Sequence, residues 1–171
     1  MGILAGLTWA MLVARAESVG LDPASFKAAI LSKIPPYIDW PKDAAPASDK
    51  DIVIGTLGEV PFQSLLAELL KNTTVNGRKV VVSAVKTAEE IGKCQILFIP
   101  AADTPRWQEL RKTINTHGLL TVTDVEKFAP DSGVIFNLLV EKRVLEISVK
   151  NAREAGLSIN SQLLRMAKIV K

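Results

Sequence analysis

The sequence predicts an α/β protein: a single three-layer domain built on a mostly parallel sheet flanked by helices, with an antiparallel hairpin near the C-terminus. Two observations lead there. Short apolar runs at 52–57, 79–85, 95–99 and 119–123 alternate with stretches whose apolar residues recur at helical spacing. Two further β-prone runs, 133–140 and 143–149, are joined tightly through Glu141-Lys142 and read as a hairpin that adds an antiparallel edge. The 171 residues are one domain's worth of chain, and 48% hydrophobic content builds a core without disulfides.

The chain opens on a segment that stands apart from this pattern. Residues 1–16 contain no acid and one base, run apolar from Ile3 to Val13 and close on Ala14-Arg15-Ala16, so they read as a signal peptide ahead of a domain spanning 17–171. No Lys or Arg precedes the apolar run, and an uncleaved membrane anchor is the alternative to cleavage. Export removes ATP, nucleotide cofactors and a reducing thiol pool from the expected chemistry.

Each later element has a local reason. Asp22-Pro23 supplies an N-cap and a proline at the first helical position, and Phe26, Ala29, Ile30 and Lys33 follow at helical spacing. Pro35-Pro36 breaks that helix, because each ring lacks a donor and crowds the preceding turn, so residues 37–40 form a separate turn or short extended piece. Residues 41–50 read as a loop. Across 61–71, Phe62, Leu65, Leu66, Leu69 and Leu70 make one helical stripe, and Asn76-Gly77 marks a tight turn into the strand at 79–85. A short helix is expected at 87–92. A further helix, capped by Thr104-Pro105, turns Trp107, Leu110 and Ile114 inward and stops at Gly118. One helical turn follows at 124–128 and another, with a glycine stop, at 151–156. Residues 161–170 set Leu163, Met166, Ala167 and Val170 on one face of an amphipathic closing helix, and Arg165, Lys168 and Lys171 on a solvated one.

The usual catalytic sets fail against this order of elements. His117, the single histidine, has no ligand partner at metal spacing, and no Gly-x-Ser-x-Gly elbow exists for a serine triad. Gly55-x-x-Gly58 follows the first strand but lacks the third glycine and the Lys-Ser/Thr of a phosphate-binding loop, so it reads as a tight turn. A phospho-receiver would need acids where Thr56-Leu57 and Pro100 stand. Asp124 reads as an N-cap. Cys94 is the single cysteine and, beside Gln95 to Ile99, is expected to be buried; an intrachain disulfide is excluded. A net charge of +3 spread over the chain makes no case for nucleic acid. No cofactor is implied. Trp40, held beyond the double proline, either plugs the end of the sheet or stands at a binding surface.

The ordered series Phe26-Lys27-Ala28-Ala29-Ile30-Leu31, Ile38-Asp39-Trp40-Pro41, Val75-Asn76-Gly77-Arg78, Cys94 to Ile99, Leu120 to Asp124 and Phe128 resembles the YfiR family. The resemblance continues through Ser132 to Ile135, Leu145 to Ser148, Ala152-x-x-Ala155-Gly156-Leu157 and Ser161 to Ala167. It implies a periplasmic, non-enzymatic regulator that forms homodimers, binds the periplasmic part of an inner-membrane diguanylate cyclase or sensor kinase and represses it, with consequences for cyclic-di-GMP and biofilm output. The chain departs from the family pattern in several places. Pro35-Pro36 replaces a helical, aromatic-rich stretch, Ser132-Gly133 stands for Gly-Gly, Phe136 and Ser148 stand for asparagines, and Cys94 lacks the partner that redox-sensing members have.

The alternative is a periplasmic small-ligand-binding module, because ligands of open α/β sheets sit beyond the carboxyl ends of the strands. That places Thr56, Gly58, Phe62, Pro100, Thr123 and Asp124 on the candidate ligand or partner surface, with Trp40 added as an interface aromatic. An unrecognised hydrolase relying on Asp124 ranks last.

Overall fold

The structure, a computed structural model, describes residues 22–44, 50–127 and 129–170. The expected signal segment therefore lies outside the described residues. Asp22 opens α1 (Pro23–Lys33), its carboxylate accepting from the Ala24 and Ser25 N–H groups that the first turn leaves free. Pro35 and Pro36 end the helical run and turn the chain through a 3-10 turn, Pro35–Tyr37, into β1 (Ile38–Asp39). β2 (Ile52–Leu57) leads to α2 (Gln63–Leu70), and β3 (Thr74–Val75) pairs with β4 (Arg78–Val85). Their turn uses Asn76 at φ 52° and Gly77 at φ 79°, the left-handed pair that matches strand twist in a two-residue hairpin. α3 (Ala88–Ile91) starts at a capping box in which Thr87 and Glu90 satisfy each other's backbone N–H. β5 (Ile96–Ile99), α4 (Thr104–Leu110), β6 (Leu120–Thr123), β7 (Phe136–Leu139) and β8 (Val144–Ser148) follow. The chain then runs through α5 (Val149–Glu154), β9 (Ser158–Ile159), α6 (Ser161–Met166) and β10 (Lys168–Val170).

Eight strands form one mixed sheet in the order β10-β8-β7-β6-β5-β2-β4-β3, and β1 pairs with β9 in a small antiparallel one. The pairs from β4 to β7 are parallel, whereas β8 runs antiparallel to β7 and β3 antiparallel to β4. Alternation along the strands divides the core in two. Ile54, Phe98 and Val122 face α1 and α2, meeting Phe26, Ile30, Leu66 and Leu70; Leu97 and Ile99 face the other way, meeting Ile91 of α3 and Trp107 of α4. Trp107 is fully buried, with its indole N–H donated to the Ser132 carbonyl at 3.1 Å. Gly55 is required inside β2, since a Cβ there would lie 2.5 Å from the buried Cys94 Sγ. Burial pushes that thiol up to about 11, so it stays protonated and unreactive.

The fold is the expected α/β class, with four corrections of detail. The closing helix stops at Met166; Ala167 is extended and Lys168–Val170 forms β10, parallel to β8, so the late hairpin is not the edge of the sheet. Pairing with β8 decides the matter for β-branched Ile169 and Val170, and with it the expected Arg165-Lys168 helical face disappears. The helical turn expected at 124–128 is absent over 124–127, and Phe128 lies outside the described residues. The helix expected to run to Gly118 ends at Leu110, where Lys112 and Thr113 donate three residues back instead of four and tighten the chain into turns. On α2 the buried stripe is Phe62, Leu66 and Leu70, while Leu65 and Leu69 are 40% and 46% exposed.

Candidate functional site

The parallel strands place their carboxyl ends together, and the chain reverses its direction of travel across the sheet between β2 and β5. It leaves β2 for β4 through α2, then returns past β2 to β5 through α3 on the opposite face. A crevice at such a switch point is the usual ligand site of an open α/β sheet. Here the chain's own side chains fill it. Phe62 is buried edge-on against Phe98, with centroids 5.1 Å apart, and the Lys27 ammonium stands 6.0 Å from the Phe62 centroid. Lys27 forms an ion pair with Asp124, whose other oxygen accepts the Ala101 N–H at 2.7 Å. That carboxylate therefore ties α1 to the end of β5, and it is not the N-cap expected from sequence, since no helix follows it.

The remaining polar groups at this end are also engaged. The Thr56 hydroxyl, fully buried, donates to the Gly58 carbonyl at 2.8 Å, and that of Thr123 donates to the Ile99 carbonyl at 2.8 Å. Gly58 adopts φ 79° and donates its N–H to the Val85 carbonyl, closing the turn after β2; Gly55 lies inside the strand, so the two glycines do not form a phosphate cradle. Pro100 stands half-buried at the end of β5. Six of the candidate residues, Thr56, Gly58, Phe62, Pro100, Thr123 and Asp124, thus share the carboxyl end of the sheet. Trp40 does not join them. Its neighbour Pro41 packs against Gly118, ahead of β6 and at the opposite end of the sheet, and Trp40 packs on the main core with its indole N–H buried and unpaired.

An open space lies one strand pair away from the crevice. A cavity of about 500 Å³ is lined by Lys27, Asp124 and Val125 together with the β7–β8 hairpin from Leu138 to Lys142. Its lining combines apolar side chains, Leu138, Leu139 and Val140, with both signs of charge, Lys127 and Lys142 beside Glu126 and Glu141. Sequence reasoning missed Lys27 and this hairpin wall. Lys27 lies 97 residues from Asp124, and no local spacing signals their pairing.

On the α3–α4 side of the sheet the cross-strand row Thr123, Asn137, Glu146 and Lys168 is polar. Asn137 donates to Glu146 at 3.0 Å and to the Val125 carbonyl at 3.1 Å, and Lys168 donates to Glu146 at 2.9 Å. Burial pushes the Glu146 carboxyl up, but the Lys168 and Asn137 hydrogen bonds and the charges of Lys168 and Lys142 outweigh it and hold the group below the usual carboxylate range. His117 meets the exposed Asp43 at 3.1 Å. Among the described residues no three His, Cys, Asp or Glu side chains gather as a metal-binding group, and no helix is long and apolar enough to cross a membrane.

Helices on both faces of a mixed eight-stranded sheet, with the switch-point crevice stoppered from within, define a small doubly wound α/β domain. Residues 24–168 match the family model described as YfiR/HmsC-like, and the chain belongs to that family. The resemblance read from the ordered motifs is thereby confirmed. No curated protein matches the chain.

Proposed function

We propose that this chain is a periplasmic regulatory protein that binds the periplasmic part of an inner-membrane signalling protein, a diguanylate cyclase or a sensor kinase, and represses it without catalysis of its own. Membership of the YfiR/HmsC-like family over residues 24–168 carries the reading. The chemistry of the strand ends supports it, because Thr56, Thr123, Lys27 and Asp124 are committed to holding elements together. Repression of this kind works through differential affinity: the regulator binds the inactive conformation of the sensor more tightly and shifts its population. The signal peptide of residues 1–16, the domain from 17 to 171 and a homodimer are parts of the same proposal. In-cell crosslinking and affinity purification of the tagged protein from the envelope, followed by mass spectrometry, tests it. Recovery of an inner-membrane cyclase or kinase is expected; a protein that never recovers one, and whose deletion leaves cyclic-di-GMP unchanged, contradicts it.

A second reading, a small-ligand-binding module, rests on the cavity of about 500 Å³ beside Asp124, a volume within the range of small-molecule sites. Its ligand would set the affinity for the partner. A thermal-shift screen of amino acids, nucleotides and peptides should find a stabilising compound whose effect is lost in Lys142→Ala; a screen that moves nothing removes this reading.

A further inference from the structure

Among the described residues, most of the outer edge of β4 has no strand paired to it. β3 covers only its first two positions, Thr74 opposite Lys79 and Val75 opposite Arg78. The Val80 N–H reaches outward to the Thr73 carbonyl, and the Val85 carbonyl accepts inward from Gly58. Because backbone direction alternates along a strand, the polar groups of Val82 and Ala84 point outward like those of Val80, with no strand of the described residues beside them; the Ala84 carbonyl accepts only from the Ser83 hydroxyl, at 3.4 Å. The run Val80-Val81-Val82-Ser83-Ala84-Val85 holds no charge and no proline. Natural edges are usually blunted by such residues or kept short, so an edge left in this state is a template for another strand. A hollow of about 350 Å³ also runs between α2 and this edge, lined by Gln63, Ser64 and Ala67 from the helix and Val82 from the strand. Alternate side chains of an added strand would enter it, while those between would lie on the other face beside Val81, which is 38% exposed.

We infer that this edge docks an extended segment of the signalling partner as an additional β-strand, its alternate side chains seated in the hollow against α2. The inference rests on the regulatory reading above and names the surface through which it acts. Charge selects the occupant. Exposed Lys79 and Lys86 bracket the free edge. A second copy added antiparallel would set the Lys79 end of one edge against the Lys86 end of the other at both ends of the pair, whereas a partner strand flanked by acidic residues would meet opposite charges. The occupant is therefore a β-prone segment of a different polypeptide, bracketed by Asp or Glu.

Two capped, soluble peptides test this on the full chain: alternating valine and threonine bracketed by glutamates, and the same core bracketed by lysines. The glutamate peptide is expected to slow amide exchange at Val82 and Ala84 and to bind about tenfold tighter than the lysine peptide. Val82→Pro, which removes an outward N–H together with the valine side chain that lines the hollow, should abolish binding with the circular dichroism retained. If that variant fails to fold, Ala67→Trp, which fills the hollow and leaves the strand intact, should abolish it instead. Absence of protection at Val82 and Ala84 with either peptide overturns the inference. Protection that grows with protein concentration alone also overturns it, because the occupant is then a second copy. A chain that still binds its membrane partner with these amides unprotected loses this surface while the regulatory reading stands.

Discussion

The two edges of the main sheet are finished in opposite ways. At one end, β10 is three residues long, and its Lys168 reaches back to a Glu146 carboxylate that is 6% exposed. A short strand carrying a lysine is a blunted edge, closed by the chain's own C-terminal residues. At the other end, β4 is eight residues long and, among the described residues, paired with β3 over its first two positions only. The first edge spends a buried charge on closure. The second spends nothing, and what it leaves open is a row of backbone donors and acceptors beside a hollow. Stability and recognition are therefore assigned to different ends of one sheet.

Removing the closure should have the largest effect. Glu146→Ala deletes the acceptor of both Lys168 and Asn137, and a loss of about 2 kcal/mol is expected in urea unfolding, with fast amide exchange in β10. A change below 0.5 kcal/mol would mean that β10 is held by its backbone bonds alone. The same carboxylate titrates. Its folded value lies below its unfolded one, so its contribution is complete above the ordinary carboxylate range and is lost as pH falls through the folded value. The closed edge should lose amide protection in acid while protection at β4, measured relative to the intrinsic exchange rate at each pH, stays constant, and Glu146→Gln should flatten that part of the stability profile.

Smaller effects sharpen the open edge. Gly77→Ala forces a side chain onto φ 79° and should cost about 1 kcal/mol, exposing the outer side of Arg78 and Lys79 as β3 peels away. Equal stability of wild type and variant would show that β3 is not anchored by its turn. Val81→Thr, on the open edge, should change stability by less than about 0.5 kcal/mol, since Val81 is already 38% exposed. A larger loss would mean that Val81 belongs to the core.

Local signals explain which parts of this architecture are legible in the sequence. Asp22-Pro23, Asn76-Gly77 and the apolar runs at β2, β5 and β6 each carry their cause within a few residues, and each forms the expected element. β10 does not. Met166, Ala167 and Val170 continue a helical stripe from Leu163, and only pairing with β8 makes Lys168–Val170 extended. Asp124 illustrates the same limit at the candidate site. An aspartate after a strand reads as a cap, and its partners Lys27 and Ala101 come from elements 97 and 23 residues away. Six candidate residues fall together because strand order alone carries them to one end, whereas the plug formed by Lys27 and Phe62, and the cavity beside it, depend on packing that no spacing encodes.

Crosslinking from the two edges in the native envelope tests the account most directly. A photoreactive residue placed at Val81 reports on the open edge, and one at Ile169, which is 48% exposed, reports on the closed edge. The expected result is an adduct with an inner-membrane signalling protein from Val81 and none from Ile169. An adduct with such a protein from Ile169 alone, or adducts from both positions only with second copies of the chain, would contradict it.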